Sequence, residues 1–365
     1  MIYRSIRKGD KNDIYNHFKG QQVLESQERM RAFLKKNAIG WEKEFHEYQR
    51  LWFSLPKNKE VRDYPLHVEL ELSTICNLQC PMCYTLNKEF KNNVIPKFMD
   101  IDLFKKIIDE IAGNVFIVRL NLRGEPTLHP QFIEAIHYAK SKGIHEVSSL
   151  TNASKLNLDF YIKCANAGLD RFTISIDGLK DVYDKIRYPL KFDDTYNKIK
   201  EIHKYKLANN IKKPVIKVQS VWPAIKADPT TFYKTFAPIT DLVAFNPLAD
   251  WRHNDNNIIY DSSFSCPVLY QRMVVGSDGK VIMCIYDENG ENLIGDANKE
   301  KIHDIWHGEK INKIRTIHMK GDFMLINVCK RCLLTRKIER NETAFVEDRQ
   351  IWIDNYMNRS QIIGE

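Results

Sequence analysis

No stretch of this sequence approaches the roughly 18 apolar residues that would span a bilayer, and the opening MIYRSIRKGDKNDIYNHFKG has no apolar run of signal-peptide type. On that reading no membrane is involved and a cytoplasmic setting is expected. Long Gly, Ser or Pro tracts are missing, as are blocks of like charge, so nothing marks a disordered arm or flexible linker. No solenoid-length repeat is visible. Neither sign of charge dominates: 55 Lys and Arg against 47 Asp and Glu give a net +8, scattered in mixed clusters such as KIIDEI and RKIERNE. That pattern reads as a solvated surface, and no basic, aromatic-rich module offers a grip on nucleic acid. Eight cysteines are present. A cytoplasmic chain keeps its thiols reduced, which excludes a disulfide framework and points to metal or cluster ligation.

With 43% hydrophobic residues over 365 positions, the chain has enough apolar material for one large domain and an appended element. Short apolar runs at 67–72, 115–122, 145–151, 171–177, 215–222 and 241–247 alternate with amphipathic helical patterns, three of which close on Gly. Alternation of this kind predicts an α/β fold, a partial (β/α)6 barrel, over 63–250. Upstream, in an N-terminal helical extension (1–62), Trp41, Phe45, Tyr48, Trp52 and Leu55 form a helical stripe. The stripe either packs on the barrel wall, or docks a partner or covers the active site. Downstream, RMVVGSDGKVIMCIYD reads as a β-hairpin turning at Ser277-Asp278-Gly279, followed by an amphipathic stretch and Cys329-Lys330-Arg331-Cys332. This predicts a smaller C-terminal β-hairpin/helix unit at 251–340 and a C-terminal tail at 341–365.

Cys76, Cys80 and Cys83 follow the first strand with spacing C-x3-C-x2-C. Three thiolates on one loop hold three irons of a 4Fe-4S cube and leave the fourth without a protein ligand. Structural zinc would want a fourth ligand nearby, and the next cysteine, Cys164, lies far off in a helical pattern, where it reads as a small buried hydrophobe. The second set is Cys266, Cys284, Cys329 and Cys332, which could complete either a zinc site or a fully ligated cluster.

The C-x3-C-x2-C loop opening a β/α repeat resembles the signature of the radical S-adenosylmethionine (SAM) superfamily, over about residues 65–250. The resemblance implies that the open iron chelates SAM. It also implies SAM contacts from Met82 and Tyr84 beside the third cysteine, and from Gly124, Glu125 and Pro126 of a GEP segment in which Arg123 stands where the family often has a first glycine. Further contacts are implied from Thr151 and Asn152, Ser175 and Asp177, Arg187, and Gln219. By the same resemblance Glu125, with adjacent carbonyls, receives the methionine ammonium group, and Arg187 pairs with the methionine carboxylate. The second cysteine set is similar to the SPASM domain in its shortened "twitch" form, which implies one auxiliary 4Fe-4S cluster. The whole resembles 2-deoxy-scyllo-inosamine dehydrogenase-like enzymes.

What the resemblance implies is a radical SAM oxidoreductase whose 5′-deoxyadenosyl radical abstracts hydrogen from a hydroxylated small molecule, a sugar or cyclitol, leading to oxidation or epimerisation. A flavodoxin- or ferredoxin-type donor would supply electrons. Modification of a ribosomal peptide or of a partner protein is the alternative, although the first 62 residues lack the hairpin strands of a leader-peptide-binding winged helix. Asp250, Arg252 and His253, at the barrel-to-auxiliary junction, are the candidates for a catalytic base.

Overall fold

Each candidate strand alternates between two kinds of side chain, and the structure, a computed structural model that describes residues 22–251, 255–359 and 361–363, puts the two kinds on opposite faces. The strands are β1 (Gln22–Val23), β2 (His67–Leu70), β3 (Ile117–Arg119), β4 (Glu146–Thr151), β5 (Arg171–Ser175), β6 (Val215–Val221), β7 (Leu242–Asn246), β8 (Arg272–Val275), β9 (Lys280–Ile282), β10 (Leu293–Asp296), β11 (Ile338–Val346) and β12 (Arg349–Tyr356). From β2 to β7 each strand pairs in parallel with the next, the partial barrel expected from the sequence. Val68, Val118, Val147, Phe172, Val218 and Val243 bury one face in a core shared with the helices Ile101–Ile111, Phe132–Ser141, Leu158–Asn166 and Phe192–Ala208. The other face is polar: Arg119, Glu146, Arg171, Thr173, Lys217 and Gln219 line a cavity of about 470 Å³ inside the barrel. A parallel sheet covered on both faces normally reads as unbroken apolar runs. A polar inner face therefore marks a chamber rather than a packed core.

Gly113, Gly143 and Gly168 end three outer helices at positive φ, as the closing glycines suggested. The hairpin of β8 and β9 turns where expected, with Gly279 at φ +82°. It does not belong to a separate sheet, however. β8 pairs in parallel with β2, so the hairpin and β10 continue the barrel's own sheet and cover an edge that β2 would otherwise leave unpaired. Residues 338–356, the end of the expected auxiliary unit and most of the expected tail, form the antiparallel hairpin of β11 and β12, turning at Glu347-Asp348. This hairpin packs back on the start of the described chain: Gln22 Nε2 donates to Trp352 O at 2.6 Å and Arg349 to Leu24 O at 2.7 Å.

The N-terminal stripe closes the end of the barrel opposite the cysteine loop. Helix α1 (Gln27–Ala38) sets Met30 and Phe33 on Val215 and Leu242, the first residues of β6 and β7. In helix α2 (Glu42–Asn58), Tyr48 meets Phe116 edge-on, Trp52 lies under the Arg272 guanidinium, and Trp52 O accepts from Gln271. Just ahead of α2, Trp41 stacks on His145 at 5.6 Å. All of these partners sit at strand beginnings, so α1 and α2 form a floor that packs on the barrel, while residues 1–21 of the expected extension lie outside the described residues. Trp52→Ala should cost about 3–5 kcal/mol of stability, measured by chemical denaturation, because a large, nearly fully buried ring is lost.

Candidate functional site

The first cysteine set lies at the strand C-terminal end, where β/α barrels gather ligands. The loop after β2 carries Cys76, exposed, Cys80, buried, and Cys83, half-buried; Cys83 N donates to Cys80 O at 2.9 Å. Its path is fixed by the GEP segment. Gly124 N donates to Ser73 O at 3.1 Å and Glu125 N to Ile75 O at 2.9 Å, two backbone bonds that hold the chain just ahead of Cys76. A Cβ on Gly124 would run into both carbonyls, 2.6 Å from that of Ile75. Here only glycine fits.

Glu125 is nearly fully buried, and its carboxylate accepts four hydrogen bonds: from Thr127 N at 3.2 Å, Thr127 Oγ1 at 2.5 Å, Thr151 Oγ1 at 2.7 Å and Asn152 N at 2.6 Å. Burial pushes its pKa up while these bonds pull it down. The carboxylate ties the loop after β3 to the loop after β4, and that tie places Thr151 and Asn152. Asn152 donates to Asn77 Oδ1 at 2.9 Å and stands 3.9 Å from Cys76 Sγ. Pro126 follows in the short 3-10 turn Pro126–Leu128.

Asp177 and Arg187, each expected separately to contact SAM, are brought together. Arg187 donates to Asp177 through Nε at 2.7 Å and reaches the same oxygen with Nη2 at 2.5 Å, while Asp177 Oδ1 accepts from Val221 N at 3.0 Å. Burial works against the Arg187 guanidinium, and the neighbouring Asp177 and Cys80 more than offset it. Arg187 is thus a positive charge beside the cysteine loop, oriented by Asp177. Ser175 ends β5 with a hydroxyl that makes no hydrogen bond among the described residues. Met82 and Gln219 line the upper part of the cavity.

The second set converges from three places. Cys266 precedes the short helix Val268–Gln271, Cys284 follows β9, and Cys329 and Cys332 flank the end of the helix Asn327–Arg331. Burial pushes Cys332 up to about 12 and Cys266 up to about 11. It drives Cys284 well above the usual range, with Cys332, Cys266 and Cys329 adding to the push. Four neighbouring thiols, three buried and Cys266 half-buried, that form no disulfide fit a bound metal centre, which relieves the cost of their ionisation. Among the described residues no three His, Cys, Asp or Glu side chains converge on one point as a single ion requires. A 4Fe-4S cluster instead takes each thiolate on a different iron. Cys164 is fully buried in its helix, as a small hydrophobe.

Several functional contacts escaped the sequence reading. Trp251 joins the two cysteine sets: its ring meets Tyr84 edge-on at 4.9 Å, stacks on Tyr286 at 5.5 Å, and its carbonyl accepts from Asn87 at 2.6 Å. Arg123 is held by the buried Glu71 through Nε at 2.6 Å and a second, shorter contact, and Glu71 also accepts from Ser277 N at 3.0 Å. The residue that departs from the family pattern therefore ties the barrel to the turn of the β8–β9 hairpin. His318 Nε2 lies 3.4 Å from Cys329 Sγ, and burial lowers its pKa to about 4, leaving the ring neutral. Of the suggested bases, Arg252 and His253 lie outside the described residues. Asp250 is buried, accepts from Asp255 N at 3.0 Å and faces Arg336 at 3.5 Å. It lines a small void between Trp251 and Cys332 and is not among the residues that line the central cavity.

Comparison with known proteins places these features in context. Residues 70–216 match the model of the radical SAM superfamily, and residues 266–333 match that of the SPASM iron–sulfur cluster-binding domain. A tungsten-containing aldehyde ferredoxin oxidoreductase cofactor-modifying protein of Pyrococcus furiosus is 26% identical over 266 residues, 71% of this chain and 73% of that protein. The Fe-coproporphyrin III synthase of Methanosarcina barkeri is 33% identical over 31% of this chain and 27% of its own length. In fold, the chain is similar to BtrN in complex with AdoMet and 2-DOIA, with a TM-score of 0.52 at 19% identity over 73% of this chain and 92% of that one. It is also similar to anSMEcpe with bound AdoMet, with a TM-score of 0.51 at 15% identity over 74% and 87%.

Proposed function

Because the chain carries a radical SAM domain and an iron–sulfur cluster-binding SPASM domain, we propose that it removes a hydrogen atom from a hydroxylated small molecule, a sugar or cyclitol, and carries it to oxidation or epimerisation. The observation that bears this reading is the cavity of about 470 Å³ between the two cysteine sets, bounded by Met82 beside Cys83, by Tyr286 near Cys284 and by Leu333 next to Cys332. Its volume suits one small molecule, and α1 and α2 floor it.

When bound, SAM and the first cluster supply hydrogen-atom abstraction, and the second cluster supplies a one-electron acceptor. Cys76, Cys80 and Cys83 would hold the first cluster, and Cys266, Cys284, Cys329 and Cys332 the second. The chain's own residues do the rest. Arg187, steadied by Asp177, offers a guanidinium to the carboxylate of SAM. The open Ser175 hydroxyl and Gln219 offer polar contacts at the rim, Met82 and Tyr84 offer apolar surface to the adenine, and Glu125 positions Thr151 and Asn152. The floor and the β11–β12 hairpin keep bulk water from the chamber. Electrons would come from a flavodoxin or ferredoxin.

Arg187→Ala should weaken SAM binding by about tenfold or more, the scale of a lost charged hydrogen bond, and Glu125→Ala should weaken it by releasing the loops that hold Thr151 and Asn152, both with iron content near normal. Equilibrium binding beside iron analysis checks this, and loss of iron with retained affinity would contradict both assignments. A second reading, action on a cofactor or on a partner enzyme, draws on the similarity to the Pyrococcus cofactor-modifying protein. The two are separated by incubating reconstituted protein, SAM and dithionite with sugars, cyclitols and nucleotide sugars and looking for products and for deuterium carried into 5′-deoxyadenosine. No turnover of any of them would contradict the small-molecule reading.

A further inference from the structure

The wall of the chamber holds more positive charge than its neighbours balance. Arg119 on β3, Arg171 on β5, Lys217 on β6 and Arg272 on β8 line it. Two carboxylates answer them: Glu146, 2.6 Å from Arg171, and Glu69, 2.8 Å from Arg272. Lys217 is only 6% exposed, and neither it nor Arg119 makes a hydrogen bond or ion pair among the described residues. Burial, reinforced by Arg171 and Arg119, drives Lys217 well below the usual lysine range. A buried ammonium without a partner is costly, and such a cost persists at sites where a ligand supplies the missing charge.

Register gives the height of this charge in the barrel. Lys217 stands beside Thr173, two residues below the pair Ser175 and Gln219. A two-residue step along a strand is about 7 Å, so Lys217 lies one layer beneath the SAM rim, and Arg119, in register through Ser148 with Arg171, lies one layer lower, nearer the Trp52 floor.

We propose that the substrate carries an anionic group, a phosphate or carboxylate, which Lys217 and Arg119 bind with Arg171 beside them, leaving the hydroxylated part of the molecule at the rim. This rests on the small-molecule reading above and narrows it to acidic sugars and sugar phosphates, against neutral or amine-bearing cyclitols. Lysine and arginine give charge-assisted hydrogen bonds to such groups, and only a ligand of that sign compensates the excess.

The test uses anaerobically reconstituted holoenzyme with SAM present, titrated by calorimetry at low ionic strength with glucose 6-phosphate, glucuronate, glucose and glucosamine. At least one anionic probe should bind about tenfold or more tighter than glucose and glucosamine, the strength of a charge-assisted contact; the better of the two identifies phosphate or carboxylate. Lys217→Met should remove most of that advantage, leave SAM affinity and iron content unchanged, and raise the melting temperature, since a buried amine without a partner has gone. Arg119→Gln gives the same readout should Lys217→Met fail to fold. Equal binding of all four probes to the wild type, or an undiminished anion preference in the variant, overturns the proposal. Formation of 5′-deoxyadenosine is followed in the same samples. Protein that forms it and ignores the anions refutes the charge assignment alone, whereas protein that forms none refutes the reading beneath it.

Discussion

Replacing Cys76, Cys80 or Cys83 by alanine is expected to abolish formation of 5′-deoxyadenosine from SAM under dithionite, from a clear signal in the wild type to background. Each thiolate would hold one iron of a cube whose fourth iron must stay open, and a site with two ligands does not keep the cube in place. The surroundings make the loss hard to compensate. The loop is pinned by Gly124 and Glu125 through backbone bonds to Ser73 and Ile75, so no other cysteine can swing in, and Cys164 is buried in its own helix. Chromatographic quantification of 5′-deoxyadenosine, beside iron analysis, checks the result. Undiminished cleavage in any one variant would remove the chemical basis of the assignment.

The second large effect is expected from Cys329→Ala. The proposed oxidation of an alcohol to a ketone takes two electrons and two protons from the substrate; one of each leaves as the abstracted hydrogen atom, the hydroxyl proton passes to solvent or a base, and the second electron needs an acceptor, which the auxiliary cluster would supply when bound. Loss of one of its ligands should therefore cut ketone formation at least about tenfold more than it cuts 5′-deoxyadenosine formation. The site is also structural: Thr335 Oγ1 bonds the carbonyls of Cys329 and Cys332, at 2.9 and 2.7 Å, and both cysteines are buried in the core. Circular dichroism and an intact first cluster are read beside activity so that misfolding is recognised. Equal losses in a folded variant would favour a redox-neutral reaction such as epimerisation.

The periodicity of the sequence made the barrel legible because each strand sends apolar side chains outward to its helices. The inner face was harder to interpret. Glu69, Glu71, Arg119, Arg171 and Lys217 alternate with apolar residues just as solvent-facing positions do in a half-exposed strand. Spacing along one strand does not say whether a polar face meets water or encloses a chamber. The six parallel strands together could have said so, since a sheet with helices on its outer side leaves its polar face only the interior. The cysteine loop, the GEP segment, Asp177 and Arg187 were legible as candidates because each is marked by residue types at short spacing, whereas the bond of Gly124 to Ser73 and the pairing of Arg187 with Asp177 were not.

What joins the parts of the molecule was not legible. The Glu71–Arg123 pair reaches across 52 positions, and the contact of Trp251 with Asn87 spans 164. Nothing local distinguishes such residues from surface charges or core aromatics. The β11–β12 hairpin was read as the end of one unit and a tail, although the β-branched and aromatic run Ile351-Trp352-Ile353 follows a short Glu347-Asp348 turn. Of β11 only Val346 is buried, so its half of the pattern carries little apolar signal.

Iron, acid-labile sulfide and zinc per chain, measured on anaerobically reconstituted protein, test the central claim most directly. Two four-iron clusters predict about eight irons and eight sulfides with no zinc. Four irons with one zinc would contradict the electron-accepting second site, and fewer than four irons would contradict the radical SAM centre itself.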